Sequence, residues 1–338
     1  MDNVKLCFDD ILLVPRYSEL ESRTEPDIST KLGSNILQLP IISAPMDSVT
    51  GKEMLLTMDK MGGLGILSRH IGMSEDDEIA LQCKEISWAR ERGAKNIGVA
   101  IGIKHDTYRL ASSLLFEGAN YLCLDVANGD NKNVYDIMPR ILQLKDTFKF
   151  DLIVGNICTT EATERLCEAG ADIIRAGIGG GSMCLTRVCT GFGYPQLSVI
   201  MECSEVSDRY NKQLIADGGI RNSGDMTKCF FGGANAIMVG YLLAGSNCCP
   251  LIDGRKIYRG MSSRQVSGRY DIAAEGIVAE APDRGETNFL LEEFAKGIKA
   301  GLSYGGCRTL EELSSCDYVR ITPNCLAENG TRPMWHGV

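Results

Sequence analysis

The sequence predicts an α/β chain folded as a (β/α)8 TIM barrel, and three features point there. Eight short apolar runs recur along its 338 residues. Each run is continuous rather than alternating, as in parallel strands buried on both faces. Helical patterns lie between most of them, and eight such βα units make a closed barrel. A doubly wound open sheet is the alternative that the same alternation allows.

The chain opens with FDDILLVPRYSELESR, an extended arm followed by a polar loop. The first strand candidate is 39–44 (LPIISA). A helix over 51–61 leads to the second, 63–68 (GLGILS), and a helix over 75–92 to the third, 96–101 (NIGVAI). Helical patterns over 106–117 and 133–145 precede the fourth, 121–126 (YLCLDV), and the fifth, 151–156 (DLIVGN). A helix over 160–169 precedes the sixth, 172–176 (DIIRA). The seventh is 213–217 (QLIAD), and a helix over 222–231 leads to the eighth, 234–239 (ANAIMV). Residues 250–338 follow as a loop, a helix over 290–300 and a polar tail. No composition shift marks a linker, so one barrel domain over 1–338 is expected.

Charge and composition narrow the function classes. A net charge of −9 and 7% aromatic residues argue against a nucleic-acid surface, which would be basic. Small anions remain open, because phosphate sites are built locally from backbone N–H groups. The N-terminus has acidic residues early and no long apolar core, unlike a signal peptide. No apolar run approaches the roughly 18 residues of a membrane span, so no membrane partner is expected. The fourteen cysteines are scattered without a Cys-x-x-Cys pair, and they read as cytoplasmic thiols that mostly fill the core. With only His70, His105 and His336 present, histidine-centred catalysis has few candidates.

In a barrel, function gathers in the loops that follow the strands. After the sixth strand comes RAGIGGGSMCLTRVCTGFGYPQL (175–197), four glycines in five positions and then Ser182, Cys184 and Thr186. Glycine lets a ligand approach the main chain closely, and a cysteine shown on such a loop beside hydroxyls is a candidate nucleophile. A flexible turn with a buried, inert thiol is the competing reading of this stretch alone. The loops after strands seven and eight, where phosphate sites favour, are Asp217-Gly218-Gly219 and Gly240-Tyr241. Asp217 ends a strand, where its carboxylate could accept two ribose hydroxyls. The loop after strand four brings Asp125 and Asn128 to the same rim, for substrate contact or to hold the loop. Glu275, between small residues in Ala273-Ala274-Glu275-Gly276, is on spacing alone an ordinary surface charge.

At these residues the chain resembles the IMP dehydrogenase/GMP reductase family. The likeness runs from Phe8-Asp9-Asp10-Ile11-Leu12-Leu13-Val14-Pro15 through Ser43-Ala44-Pro45-Met46-Asp47-Ser48-Val49-Thr50 and the cysteine loop. It continues through Asp217-Gly218-Gly219 to Tyr258-Arg259-Gly260-Met261. Several segments look like the reductase branch: Asp125-Val126-Ala127-Asn128-Gly129, the stretch TGFGYPQLSVIMEC, and Gly260-Met261-Ser262-Ser263. Only 26 residues separate His70 from Ile97, too few for the regulatory CBS pair that dehydrogenases insert there. Four residues separate Tyr270, of the Arg269-Tyr270 pair, from Glu275, too few for the long dehydrogenase flap. Leu302-Ser303-Tyr304-Gly305-Gly306-Cys307-Arg308 and the Leu326-Ala327-Glu328 tail look more like a dehydrogenase. Ile272 and Ala274 stand where reductases carry an Arg and a Ser that help hold the guanine.

What the resemblance implies is an NADPH-dependent reduction of GMP to IMP and ammonia. Cys184 would be the nucleophile, with Thr186 and Glu275 relaying a proton. Ser182, Gly218, Gly219, Gly240, Tyr241 and Tyr258 would bind the phosphate and Asp217 the ribose. Met261, Ser262 and Gly276 would lie along the base, in a flap segment of about 258–285. Asp125 and Asn128 would meet the nicotinamide. Carbonyls of Gly179, Gly181 and Cys184 would hold a monovalent cation (K+), and the assembly would be a homotetramer. An IMP dehydrogenase without regulatory modules, or a reductase-like protein that acts on another 2-aminopurine nucleotide or only binds one, are the alternatives.

Overall fold

The computed structural model describes residues 4–69, 75–103, 107–267 and 273–330. Strands β1 (Ile41–Ser43), β2 (Leu64–Leu67), β3 (Ile97–Ile101) and β4 (Tyr121–Asp125) lie side by side. With β5 (Asp151–Ile157), β6 (Ile173–Ala176), β7 (Gln213–Asp217) and β8 (Ala236–Val239) they form a closed parallel barrel. β8 closes on β1, with Ile237 opposite Ile41 and Val239 opposite Ser43. Each predicted apolar run is therefore a barrel strand, and closure excludes the open sheet.

Two apolar layers explain why the runs are continuous. Ile42, Ile66, Tyr121, Ile153, Ile173 and Ile215 pack inside the barrel. Their strand neighbours Ile41, Leu67, Leu122, Leu152, Ile174 and Leu214 face the surrounding helices. These are α1 (Lys52–Lys60), α2 (Glu75–Glu91), α3 (Thr107–Phe116), α4 (Lys132–Leu142) and α5 (Thr160–Glu168). α6 (Gln196–Arg209), α7 (Ser223–Phe231) and α8 (Thr287–Tyr304) complete the ring. Among the described residues, side-chain caps start three of them. Asn131, Thr159 and Asn222 accept backbone N–H groups in the first turns of α4, α5 and α7.

α6 departs from the sequence reading, which placed no helix between the sixth and seventh strands. Gln196, Ser198, Ser204 and Ser207 are buried on it together with Leu197, Val199 and Ile200. Polar and apolar positions do not sort into two faces, so the amphipathic period is blurred. The polar stretch before β1 also holds more than a loop. Thr30–Leu32 and Asn35–Leu37 form a hairpin whose Leu32 and Leu37 enter the barrel interior. Tyr121 donates to the Leu32 carbonyl at 2.9 Å, and Asp151 takes the Ser34 N–H at 2.8 Å.

The N-terminal arm pairs antiparallel with the C-terminal segment, Ile11 opposite Arg320 and Leu13 opposite Tyr318. The flap has a paired base as well, Ile257–Arg259 against Val278–Glu280. Arg259 forks onto Asp47 in the loop after β1, with Nε 3.1 Å from each carboxylate oxygen. Three flap residues used in the sequence comparison, Arg269, Tyr270 and Ile272, lie outside the described residues, as do all three histidines. Among the described residues no helix is long and apolar enough to cross a membrane.

Candidate functional site

A cavity of about 250 Å³ opens at the C-terminal ends of the barrel strands. The loops after β1, β6, β7 and β8 and the flap all contribute to its wall. Two glycines of the run after β6, Gly177 and Gly179, take left-handed backbone that excludes other residues. Gly177 has φ +143°, and a Cβ there would lie 1.9 Å from the Asp217 carbonyl oxygen. Gly218 has φ +107°, and its Cβ would meet the Gly181 nitrogen at 3.3 Å. Side chains are thus excluded where the two loops touch, and backbone lines the space between them.

Cys184 sits where this loop turns, its N–H bonded to the Gly181 carbonyl at 3.0 Å. Its thiol donates to Thr186 Oγ1 at 3.2 Å, and Thr186 donates to Glu275 Oε2 at 2.5 Å. Glu275 reaches this position because the flap pairs with the cysteine loop. Leu185 N–H donates to the Glu275 carbonyl at 2.7 Å, and Ile277 N–H to the Met183 carbonyl at 3.2 Å. Cys184 and Gly276 stand opposite each other in that short antiparallel bridge. A carboxylate unremarkable in sequence is therefore fixed two hydrogen bonds from a thiol. Such a chain can draw a proton from sulfur or hand one to a leaving group.

On the far side lies a cluster of buried charge. Arg175, on β6, is 8% exposed. Its Nη1 lies 2.5 Å from Asp125 Oδ1, and its Nη2 2.8 Å from Asp217 Oδ2. Arg175 Nε and Asn156 Nδ2 donate to the same Asp217 oxygen at 2.9 and 2.7 Å. Burial opposes the guanidinium charge, but Asp217 and Asp125 outweigh it and raise its pKa. Asn156 arrives through a bulge in β5, where Gly155 stands opposite Arg175 and Ile157 opposite Ala176. Arg69 Nε, buried and without a hydrogen-bond partner among the described residues, lies 3.7 Å from Asp125 Oδ2.

Glycines and phenols make the third wall. Ser182, Gly218, Gly219, Gly240, Tyr241 and Tyr258 all line the cavity. A Cβ at Gly240 would meet the Tyr258 hydroxyl at 2.8 Å, and the Tyr258 and Tyr241 rings lie 5.8 Å apart. Burial pushes the Tyr258 phenol well above its ordinary range, which keeps it a neutral hydrogen-bond donor. Met261, Ser262, Gly179, Gly181 and Asp125 line the cavity too. Two predicted residues do not. Asn128 is exposed and accepts the Asp130 N–H at 3.1 Å, and Gly276 packs behind the wall against Gly260.

The sequence reading missed Arg175, Asn156 and Arg69. A charged residue inside the apolar run DIIRA was the available signal, since arginine is almost never fully buried without a partner.

Residues 5–332 match the family model for the IMP dehydrogenase / GMP reductase domain. The chain belongs to that family. It is 34% identical over 383 residues to an inosine-5′-monophosphate dehydrogenase of Cryptosporidium parvum, covering 96% of this chain and 94% of that one. It is 33% identical over 349 residues to a GMP reductase of Buchnera aphidicola subsp. Acyrthosiphon pisum (strain Tuc7), covering 96% and 97%. A GMP reductase of Ascaris suum is 32% identical over 339 residues, covering 94% and 93%. The family consists of oxidoreductases that bind purine nucleotide monophosphates and use a nicotinamide cofactor. Relatives of both activities lie at nearly the same identity, so overall similarity does not choose between them.

Proposed function

We propose that the chain is an NADPH-dependent GMP reductase that converts GMP to IMP and ammonia through a Cys184-linked thioimidate. The observation that carries this reading is the relay from Cys184 through Thr186 to Glu275, closed by the short flap. The Cys184 sulfur bonds to C2 of the purine, and the C2–N bond to the amino group breaks. Ammonia is a poor leaving group unless protonated, and Thr186 with Glu275 delivers that proton. NADPH, when bound, supplies hydride to C2. The carbon–sulfur bond then breaks, which releases IMP and regenerates the Cys184 thiolate. Dividing the exchange into two steps is the gain from covalent catalysis.

Ser182, Gly219, Gly240, Tyr241 and Tyr258 hold the 5′-phosphate in this reading. Asp217 takes the ribose hydroxyls through Oδ1, because the described hydrogen bonds to Asp217 fall on Oδ2. Met261 and Ser262 lie along the base. The nicotinamide side falls to Asp125, with Arg69 beside it in the cavity wall. The carbonyls of Gly179, Gly181 and Cys184 are suited to K+. Gly181 already accepts the Cys184 N–H, but a carbonyl oxygen keeps a second lone pair. A homotetramer is part of the same reading.

The stretch from Leu302 to Arg308, which looks more like a dehydrogenase, is what favours the dehydrogenase reading. The assay follows NADPH absorbance at saturating GMP with ammonia measured in parallel. Loss of NADPH with release of ammonia supports the reductase. Formation of NADH from IMP and NAD+ without that loss would sink it in favour of the dehydrogenase. Nucleotide binding with neither reaction points to a binding protein or another 2-aminopurine nucleotide.

A further inference from the structure

Arg175 is a single guanidinium with one end on each of two carboxylates that the proposed function gives to different ligands. We propose that Arg175 is a positioning residue that couples the nucleotide site to the dinucleotide site. The inference rests on the reading above, in which Asp217 takes the ribose and Asp125 faces the nicotinamide.

The geometry makes the three side chains one mechanical unit. The fork of Arg175 places Nη2 and Nε on Asp217 Oδ2 and Nη1 on Asp125 Oδ1, all within 2.9 Å. Asn156 adds a third donor to Asp217 Oδ2 at 2.7 Å and ties it to the Gly177 carbonyl at 2.8 Å. The ribose-side carboxylate can rotate only by dragging the guanidinium, and the planar fork transmits that rotation to Asp125. Below it is Cys123, fully buried and 3.8 Å from Nη1, so the guanidinium has no room to withdraw downward. The three side chains are only 9–17% exposed, so little solvent is at hand to take over the contacts of the fork. A ligand that fixes Asp217 therefore fixes Asp125, and the second ligand meets an ordered site. Linkage requires the effect to be reciprocal.

Stacking of the nicotinamide on the purine would couple the two ligands directly, so the probe must have no base. Ribose 5-phosphate keeps the hydroxyls for Asp217 and the phosphate for the glycine loops. Its affinity is measured by titration calorimetry with and without saturating NADP+, and the affinity of NADP+ with and without ribose 5-phosphate. The expected result for the wild type is a tightening of about fivefold or more in each direction, the lower end of ordinary coupling. Arg175→Met should weaken each ligand measurably, because it strands both carboxylates, and should also lose the coupling, leaving a factor near one. Arg175→Lys keeps the positive charge between the two carboxylates, yet an ammonium cannot fork onto both, so its coupling should fall as well. A merely structural role predicts weaker binding of both ligands with the factor preserved. Coupling retained in either variant, or absent from the wild type while both ligands bind, overturns the proposal. Failure of the wild type to bind either GMP or ribose 5-phosphate overturns the nucleotide reading, and the coupling with it.

Discussion

Glu275→Gln separates the chemistry of the relay from its architecture. Glu275 is fixed by backbone, since its carbonyl accepts the Leu185 N–H at 2.7 Å and its own N–H donates to the Ser262 carbonyl at 3.3 Å. Neither bond involves the side chain, so the flap should stay paired with the cysteine loop in the variant. The glutamine amide oxygen can still accept the Thr186 hydroxyl, as the carboxylate does at 2.5 Å. What is lost is the ability to hold and release a proton. General acid–base catalysis contributes roughly 10²–10⁴-fold, or about 2.7–5.4 kcal/mol of barrier. Turnover of GMP should fall by about that factor. Nucleotide affinity should change little, because the phosphate and ribose contacts lie on the opposite walls. The assay is NADPH consumption with ammonia release, paired with calorimetric binding of GMP. A variant that keeps more than about a tenth of wild-type turnover would refute the relay, since even the low end of general-acid catalysis exceeds tenfold.

Other substitutions test separate parts of the molecule. Cys184→Ala should abolish turnover and leave GMP binding measurable by calorimetry; full turnover without the thiol would exclude the covalent route. Tyr121→Phe removes a buried hydroxyl that donates to the Leu32 carbonyl and accepts from Asn35 Nδ2 at 3.1 Å. Stranding those groups should cost about 1–3 kcal/mol in urea unfolding, and a neutral result would mean that the hairpin does not seal the barrel floor. Among the described residues one buried carboxylate oxygen of Glu85 has no hydrogen-bond partner, and burial raises its pKa ahead of the opposing backbone N–H and charge of Lys52. A folded pKa above the unfolded one favours the protonated side chain. Stability at this site is thus full below about 4.3, the ordinary carboxylate value, and lost as pH rises through the folded pKa. Glu85→Gln should therefore melt higher than wild type at neutral pH and converge with it in acid; an equal or lower melting temperature at neutral pH would show that the hydrogen bond and charge of Lys52 outweigh burial.

Legibility in the sequence followed burial. Strands buried on both faces must be apolar throughout, so each announced itself, and the count of eight fixed the closed barrel. The hairpin of Thr30–Leu32 and Asn35–Leu37 did not, because short strands with one inward residue each present almost no period. The glycine loop was legible because Gly177 and Gly179 take positive-φ backbone that other residues do not fit. Arg175 and Asn156 were not, since their meaning depends on register. Only when β6 lies beside β5 and β7, with Arg175 opposite Gly155 and Ile215, do the arginine and the carboxylates meet. Glu275 was legible through likeness to relatives alone, and no spacing rule joins it to a thiol ninety-odd positions earlier.

That separation between backbone and side chain bears on which reaction the site performs. Residues 275–277 are held against 183–185 by main-chain hydrogen bonds, which any residue but proline can make. Ala274 joins the same assembly through its carbonyl, which accepts the Cys189 thiol at 3.4 Å. Side chains along the flap can thus vary without moving Glu275 from Thr186. Ala274 offers a base no polar group of its own, which leaves Met261 and Ser262 as the described flap residues in the cavity wall near the base. In the proposed reading, base selection and proton delivery would therefore fall to different features of one segment: the first to exchangeable side chains, the second to a backbone pairing that fixes a carboxylate two hydrogen bonds from sulfur. The proton relay is the more constrained of the two, and it is the relay that the reductase reading requires.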